Sequence, residues 1–197
     1  MTNPTKLSVV MIRRILRYLA GAPSLGLIYD NNYKNSDGEV IISGYCDADW
    51  GGDLNDRKST TGYCTFINNN LISWNSKKQR TVALSSTEAE YMAINEVAKE
   101  LMWLRIILKE MNINVKSPSI LYVDNQSAIK ISENDTEHDR TKHIDIRYYF
   151  IRDLITNGEI KLHWVSTAEQ LADIFTKPLG GTIFTNLRDI LMKNYKQ

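Results

Sequence analysis

Three segments early in the chain carry apolar and polar positions in the short, mixed pattern of β-strands. They cover residues 40–47, 62–67 and 71–76. Asn68, Asn69 and Asn70 separate the second segment from the third, and asparagine tolerates the left-handed backbone of a tight turn. The pattern therefore predicts an antiparallel meander of three strands.

Helices and strands alternate in the second half of the chain. A long helix is predicted at about residues 87–111, because apolar side chains recur there every three or four positions. The next elements are a strand, two helices and a strand, at residues 119–124, 126–131, 142–156 and 159–165. Ser166 and Glu169 have the spacing of a capping box, which predicts a last helix beginning at Ser166. Because strands separated by helices are usually parallel, the sequence predicts an α/β fold with a mixed sheet.

The two ends of the chain are predicted to be separate from the main domain. Apolar residues at helical spacing predict a helix over residues 7–19, and a polar run over residues 30–38 predicts a loop after it. We therefore expect an N-terminal helix and linker in residues 1–38, a main domain in residues 39–180, and a C-terminal helical extension in residues 181–197.

The composition narrows the class of protein only slightly. The 197 residues are 43% hydrophobic and 24% charged, as expected of a globular protein with a packed core. The net charge of +1 gives no overall attraction to nucleic acid, so such a partner would have to contact local basic clusters. Two cysteines, no signal peptide and no membrane-spanning run predict an intracellular protein with no membrane partner.

Four acidic residues occupy positions where a charge is costly or where ligands collect. Glu90 continues the apolar stripe of the long helix by one turn towards its N-terminus, so it faces the core. Asp47 and Asp124 end two predicted strands, and Asp173 lies in the second turn of the predicted last helix. In open α/β sheets, ligands bind beyond the carboxyl ends of parallel strands, so we expect these acids to converge there.

Converging carboxylates repel one another and raise each other's pKa values, and divalent cations relieve this repulsion. Hard oxygen ligands suit Mg²⁺ or Mn²⁺, and a pair of such ions supports phosphodiester hydrolysis. Each acid also has an ordinary explanation: an Asp at a strand end often caps a loop, and Glu90 would complement a helix dipole. The spacing alone leaves both interpretations open.

Six sequence blocks around these acids decide between the two interpretations. They are GYCDADWGG (44–52), DRKSTTGY (56–63), SSTEAEYMA (85–93), YVDNQ (122–126), TKHIDIRY (141–148) and QLADIFTKPL (170–179). In this order they resemble the ribonuclease H domain of copia-type retrotransposon Pol polyproteins, from about residue 40 to residue 180. The N-terminal helix resembles the connection between reverse transcriptase and ribonuclease H in such polyproteins.

The resemblance implies a ribonuclease H-like mixed five-stranded sheet, an antiparallel meander plus parallel strands, flanked by helices. It implies hydrolysis of the RNA strand of RNA–DNA hybrids with two Mg²⁺ ions, for which Mn²⁺ would substitute. The family's catalytic and metal-binding acids match Asp47, Glu90, Asp124 and Asp173. Asp49 lies on the same strand face as Asp47, but Asp47 is preferred because it ends the strand and small Ala48 follows it.

The resemblance also suggests substrate contacts and partners. The candidates are hydroxyls at a helix start, polar residues after the fourth strand, and basic residues: Ser85, Ser86, Thr87, Asn125, Gln126, Lys78 and Arg80. Hydroxyls and N–H groups at a helix N-terminus suit phosphate, but a solvated loop end explains the basic residues equally well. The implied partners are an RNA–DNA hybrid and the reverse transcriptase portion of the same polyprotein, in cytoplasmic retrotransposon particles.

One feature departs from the family pattern. Many ribonucleases H carry a mobile histidine in the loop after the last strand, and here that loop is reduced to Ser166 and Thr167. His163 lies within the strand, where we expect a cross-strand contact, and His138 and His143 flank a helix start, where capping or surface roles are expected. The missing histidine affects the expected turnover rate, but it does not change the expected type of reaction.

Three other interpretations fit parts of the pattern. Residues 122–125 resemble a polymerase motif, but one acid is missing and the chain is too short for a polymerase. Integrases and transposases have their acids in the order Asp, Asp, Glu, whereas the Glu comes second here. A non-catalytic nucleic-acid-binding or interaction module descended from a retroelement is the alternative that the sequence leaves open.

Overall fold

The computed structural model describes residues 5–30, 38–133 and 142–192. Its centre is a sheet of five strands in the order β3-β2-β1-β4-β5. The strands are β1 (Ile42–Asp49), β2 (Thr60–Ile67), β3 (Asn70–Lys78), β4 (Ser119–Val123) and β5 (Ile160–Trp164). The expected ribonuclease H-like mixed sheet is therefore confirmed.

The directions of the strands also follow the prediction. β2 pairs in antiparallel register with β1 and β3, and the turn between β2 and β3 has positive φ at Asn68 (47°) and Asn69 (61°). β4 pairs in parallel with both β1 and β5. The carboxyl ends of β1, β4 and β5 therefore meet at one edge of the sheet.

The described helices are α1 (Lys6–Gly21), α2 (Ser86–Glu110), α3 (Gln126–Glu133), α4 (Lys142–Thr156) and α5 (Gly181–Leu191). α2 packs on one face of the sheet and α5 on the other. α2 buries its apolar stripe against β1, and Gly44 permits the close approach: a Cβ there would lie 3.1 Å from Val97 Cγ2. This contact places the N-terminal part of α2, which carries Glu90, beside the sheet.

The prediction of a last helix beginning at Ser166 is wrong. Two short 3₁₀ helices, Thr167–Glu169 and Leu171–Phe175, take its place, and Gln170 between them has an extended backbone with ψ of 100°. The capping box does not form, since the Ser166 hydroxyl donates to the Glu169 carboxylate (2.7 Å). The helix is interrupted because the Gln170 side chain turns inward and donates to the Cys46 carbonyl (2.8 Å).

A second apolar cluster lies on the face of the sheet opposite α2. Leu187 and Leu191 of α5 pack there with Phe66 and Leu171. α1, in contrast, buries none of its residues, although the Tyr18 ring lies edge-on to a ring of α5. Within the described ranges, none of the helices has the length and apolar character needed to cross a membrane. The division into three parts stays a prediction.

Candidate active site

Asp47 lies on β1 opposite Gly62 of β2, and its side chain is buried. The Thr176 hydroxyl donates a short hydrogen bond to Asp47 Oδ2. Asp49 lies on the same strand face, but its carboxylate lies against Gly52 in the following loop. The structure thus brings Asp47, rather than Asp49, towards the second 3₁₀ helix.

Asp173 is carried by that second 3₁₀ helix and is also buried. The helix is anchored to β1 by Gln170, which is fully buried and donates to the Cys46 carbonyl. It approaches β2 closely because residue 62 is glycine: a Cβ there would lie 2.9 Å from Phe175 Cβ and 3.1 Å from the Ala172 carbonyl oxygen. Gly62 and Gln170 together bring Asp173 beside Asp47.

Asp124 follows directly after β4 and is held from two sides. The Trp164 indole N–H, at the end of β5, donates to the Asp124 carbonyl (3.1 Å). The Thr167 hydroxyl donates to Asp124 Oδ2 (3.1 Å). These contacts fix both the backbone and the carboxylate of Asp124 at the carboxyl edge of the sheet.

Three of the four predicted acids therefore form one cluster. One carboxylate oxygen from each of Asp47, Asp124 and Asp173 lies within 4.8 Å of the other two. Glu90 is not part of this trio, but its side chain is only 6% exposed and lies close enough to Asp47 and Asp124 for their charges to raise its pKa. Its Oε2 atom is buried without a hydrogen-bond partner among the described residues.

The electrostatics of the cluster follow from burial and mutual repulsion. Burial, together with the negative charges of Asp47 and Asp124, raises the pKa of Glu90 to about 9. Burial also raises the pKa of Asp173 to about 6, although the ion pair with Lys177 opposes this shift. Burial and the charge of Asp47 raise the pKa of Asp124. The predicted mutual raising of pKa values is thus confirmed for these three acids.

These residues fit a divalent cation on their own chemistry. Three carboxylate oxygens lie close enough to bind one ion, and a fourth buried carboxylate has an unpaired oxygen beside them. All are hard oxygen ligands, which Mg²⁺ and Mn²⁺ prefer. A positive ion would relieve the repulsion that raises the pKa values.

Lys177 also belongs to the site, and sequence reasoning missed it. Its Nζ lies 2.9 Å from Asp173 Oδ1 and 3.7 Å from Asp47 Oδ2. The available signal was its position four residues after Asp173, a spacing at which side chains on a helical segment meet. That signal is weak, because the spacing does not predict that Lys177 also lies close to Asp47.

Two of the three predicted substrate residues at the start of α2 line a cavity of about 400 Å³. Ser85 and Thr87 share this cavity with Ser127 of α3 and Tyr148 of α4. Ser85 is the N-cap of α2, and its hydroxyl accepts from the Glu88 N–H (3.1 Å). The starts of α2 and α3 thus lie beside one cavity, and the substrate role of these residues stays a prediction.

The remaining polar candidates near these helix starts differ in their availability. Ser86 and Gln126 are exposed. Asn125 is half-buried, and its Oδ1 accepts from the Ala128 N–H (2.9 Å), so it caps α3. Its side-chain oxygen is therefore already engaged, and its NH₂ group is the part that can donate to a ligand.

The basic candidates lie around a second cavity, of about 300 Å³, which Lys78 and Arg80 line together with Lys77 and Lys99. Lys78 is already paired with acids of the loop between β1 and β2: its ammonium contacts Asp53 closely and lies 3.3 Å from Asp56. The side chain of Arg80 is exposed. Of the two predicted basic contacts, Arg80 is the more available.

Of the three histidines, the structure describes the side chain of His163, which is not part of the carboxylate cluster; the side chain of His143 lies outside what is described. His163 lies edge-on to Tyr122 with ring centres 5.5 Å apart, which confirms the expected cross-strand contact. His138 lies outside the described residues.

The sheet order, the parallel pairing of β4 and the carboxylates at this edge define a protein of the ribonuclease H-like fold class.

No family model matches the sequence. The chain is 41% identical over 186 residues to the Retrovirus-related Pol polyprotein from transposon RE1 of Arabidopsis thaliana, covering 94% of this chain and 12% of that protein. It is 42% identical over 189 residues to the Pol polyprotein from transposon TNT 1-94 of Nicotiana tabacum, covering 96% of this chain and 14% of that protein. The chain is thus homologous to a segment of copia-type retrotransposon Pol polyproteins.

Solved structures show a weaker likeness. The N-terminal RNase H domain of a Mycobacterium tuberculosis protein, solved as a fusion with maltose binding protein, matches with a TM-score of 0.48 and 13% identity. The match covers 76% of this chain and 96% of that domain's chain.

Proposed function

We propose that this chain hydrolyses the RNA strand of RNA–DNA hybrids endonucleolytically, by two-metal-ion catalysis. The observation that carries the proposal is the buried carboxylate cluster at the carboxyl edge of a ribonuclease H-like sheet. The homology to Pol polyproteins of retrotransposons supports it, because the matching segment covers nearly the whole chain.

Asp47, Asp124, Asp173 and Glu90 would hold two Mg²⁺ ions, or Mn²⁺ in their place. When bound, such ions activate a water molecule and stabilise the developing charge on the leaving oxygen of a phosphodiester. Asp47 is central to the set because its carboxylate neighbours those of both Asp173 and Glu90.

Other residues of the site keep these carboxylates in place. Thr176 binds Asp47 and Thr167 binds Asp124, each through a hydroxyl that donates to a carboxylate oxygen. Gln170 fixes the second 3₁₀ helix to β1. Catalysis by bound cations depends on ligand placement, so we assign these three residues a positioning role.

The substrate would lie across the starts of α2 and α3. Ser85, Ser86 and Thr87 offer hydroxyls and backbone N–H groups at a helix N-terminus, where phosphate binds well. Asn125 would donate from its NH₂ group, and Gln126 would donate or accept, at the minor groove, where 2′-hydroxyls distinguish RNA from DNA.

Basic residues beside the β2–β3 edge would contact the phosphate backbone of the hybrid. Lys78 and Arg80 line the same cavity, and Arg80 is free of the loop acids that pair with Lys78. We therefore expect Arg80 to contribute more than Lys78 to binding that weakens with salt.

The matched relatives are much longer than this chain, which spans 12–14% of their length. We propose that the domain acts together with the reverse transcriptase portion of such a polyprotein, in cytoplasmic retrotransposon particles. α1, with its exposed apolar residues, is the element that we expect to connect to that portion.

The test is cleavage of a labelled RNA–DNA hybrid by the purified chain in Mg²⁺. The same assay includes single-stranded RNA, a chelator control and the Asp124→Asn variant. The proposal predicts cutting of the RNA strand of the hybrid only, abolished by the chelator and by the substitution. If wild type and variant bind the hybrid equally and neither cuts it, with or without the polymerase portion added, the non-catalytic binding module is correct instead.

A further inference from the structure

The carboxylate cluster already contains a cation of the protein's own. The Lys177 ammonium lies 2.9 Å from Asp173 Oδ1 and 3.7 Å from Asp47 Oδ2, so it bridges two of the three clustered aspartates. Both carboxylates are almost fully buried, whereas the Lys177 side chain is 33% exposed. The ammonium therefore enters the cluster from the solvent side.

The backbone that carries Lys177 is fixed, so only its side chain is free to move. The Lys177 N–H donates to the Asp173 carbonyl (3.3 Å), and the neighbouring Thr176 hydroxyl binds the Asp47 carboxylate. The flexible four-carbon stem of lysine allows the ammonium to leave the cluster by side-chain rotation alone. The Asp47 and Asp173 backbones need not shift when it leaves.

A divalent cation bound by Asp47 and Asp173 would lie beside the same two carboxylates that Lys177 contacts. The two positive charges would also repel each other at short range, most strongly in a partly buried site. The ammonium and the metal cannot both keep full contact with these carboxylates. Binding of the metal must therefore displace Lys177 from at least one of them.

We propose that Lys177 is the internal counter-ion of the carboxylate cluster: it holds Asp47 and Asp173 together in the metal-free protein and competes with divalent cations for them. Lys177 is thus a positioning residue that sets metal affinity. The inference rests on the proposed function, because it takes the cluster to be a divalent-cation site.

The test measures the Kd for Mn²⁺ by electron paramagnetic resonance of the free ion, using the full chain without substrate. Lys177→Met removes the charge but keeps the stem, and its Kd is expected to fall on the order of tenfold relative to wild type. Lys177→Arg restores a positive charge and should return the Kd towards the wild-type value. Lys161→Met, at an exposed position on β5, is the control and should leave the Kd unchanged.

A second measurement follows thermal unfolding in a chelator, where Lys177 should act as a stabilising partner. Lys177→Met is expected to lower the Tm by a few degrees in the wild-type background. In the Asp173→Asn background the same substitution should lower it by less, because one carboxylate partner has lost its charge. A merely structural lysine would lower the Tm equally in both backgrounds.

The outcomes separate this inference from the proposed function. An unchanged or weaker Mn²⁺ affinity in Lys177→Met, with wild type binding Mn²⁺, overturns the competition and leaves the proposed function intact. Failure of wild type and Lys177→Met alike to bind Mn²⁺ overturns both. Binding by Lys177→Met that is tighter than binding by wild type supports the inference.

Discussion

At the scale of residues, the site sets four acidic side chains against one basic side chain. Glu90 and Asp173 are buried and have raised pKa values, and Lys177 offsets the charges of Asp47, Asp173 and Asp124. Glu90 has no such partner, and its Oε2 is unpaired among the described residues. Without a metal, Glu90 therefore keeps its proton to a higher pH than an ordinary carboxyl does.

This imbalance predicts a pH-dependent stability of the metal-free protein. The pKa of Glu90 is about 9 in the folded state against 4.5 for the ordinary carboxyl, so between these values the folded state holds the extra proton. The free energy of unfolding therefore falls as pH rises through this window. We expect the Tm in a chelator to decline across the window in wild type and to decline less in Glu90→Gln.

The matched control is Glu110→Gln, at the exposed end of the same helix. The Tm of Glu110→Gln in a chelator should decline with rising pH as the Tm of wild type does. A Tm that rises between these pH values in wild type, or an identical decline in Glu90→Gln, would show that Glu90 does not titrate as described. Added Mg²⁺ should raise the Tm more at high pH than at low pH, because the metal competes with protons for the carboxylates.

The acids could be found in the sequence, but the lysine could not. Glu90 stands out because it continues an apolar stripe, and Asp47 and Asp124 because they end predicted strands. The predicted end at Asp47 is wrong, because β1 continues to Asp49 through its pairing with β2. The ion pairs of Lys177 depend on how the second 3₁₀ helix docks on β1, which no local pattern specifies. The docking rests on one buried hydrogen bond from Gln170 and on the missing side chain of Gly62.

At the scale of elements, the second 3₁₀ helix decides whether the cluster forms. The sequence predicts the strands and α2 well, since each has a clear period. It predicts the residues after β5 badly, because the spacing of Ser166 and Glu169 suggests a capping box while Gln170 prefers a tertiary hydrogen bond. The buried hydrogen bond from Gln170 to the Cys46 carbonyl, 124 residues away in sequence, therefore outweighs the local preference for a continuous helix.

Gly62→Ala tests this docking. The added methyl group would lie 2.6 Å from Thr176 Cγ2 and 2.9 Å from Phe175 Cβ, so the 3₁₀ helix must shift away from β2. We expect a loss of roughly 1–3 kcal/mol in the free energy of unfolding, as for overpacking elsewhere. Mn²⁺ affinity should weaken as well, because Asp173 would move away from Asp47.

Gly181→Ala is the control for Gly62→Ala, because a Cβ at residue 181 meets nothing within 4 Å. It should leave both urea denaturation and Mn²⁺ binding close to wild type. If Gly62→Ala and Gly181→Ala had equal stability and equal Mn²⁺ affinity, the close approach at Gly62 would not set the position of Asp173.

At the scale of the whole molecule, the two ends of the chain differ in how much they bury. α5 inserts Leu187 and Leu191 into the cluster on the second face of the sheet, whereas α1 buries no residue. The sequence predicted α1 from apolar residues that recur at helical spacing, and it made no prediction of their burial. Periodicity shows which face of a helix is apolar but not whether the described chain covers that face.

The difference in burial between α5 and α1 can be tested by comparing the stabilities of Leu187→Ala and Leu7→Ala. Leu187 is 4% exposed and Leu7 is 62% exposed. Truncating the buried leucine should cost about 2–5 kcal/mol of unfolding free energy, and truncating the exposed one should cost less than about 0.5 kcal/mol. A comparable loss in both, measured by urea denaturation, would show that α1 is also packed in solution.

The central claim is that this carboxylate cluster cleaves the RNA strand of a hybrid, and one paired comparison tests it most directly. Initial cleavage rates are measured in Mg²⁺ for wild type, Asp47→Asn and Asp49→Asn on the same RNA–DNA hybrid. Asp47→Asn should lose about 10³-fold or more, because metal placement is lost. Asp49→Asn should stay within about threefold of wild type, because its carboxylate lies against Gly52 outside the cluster. Equal rates for wild type and Asp47→Asn, or loss of cleavage in Asp49→Asn alone, would contradict the account.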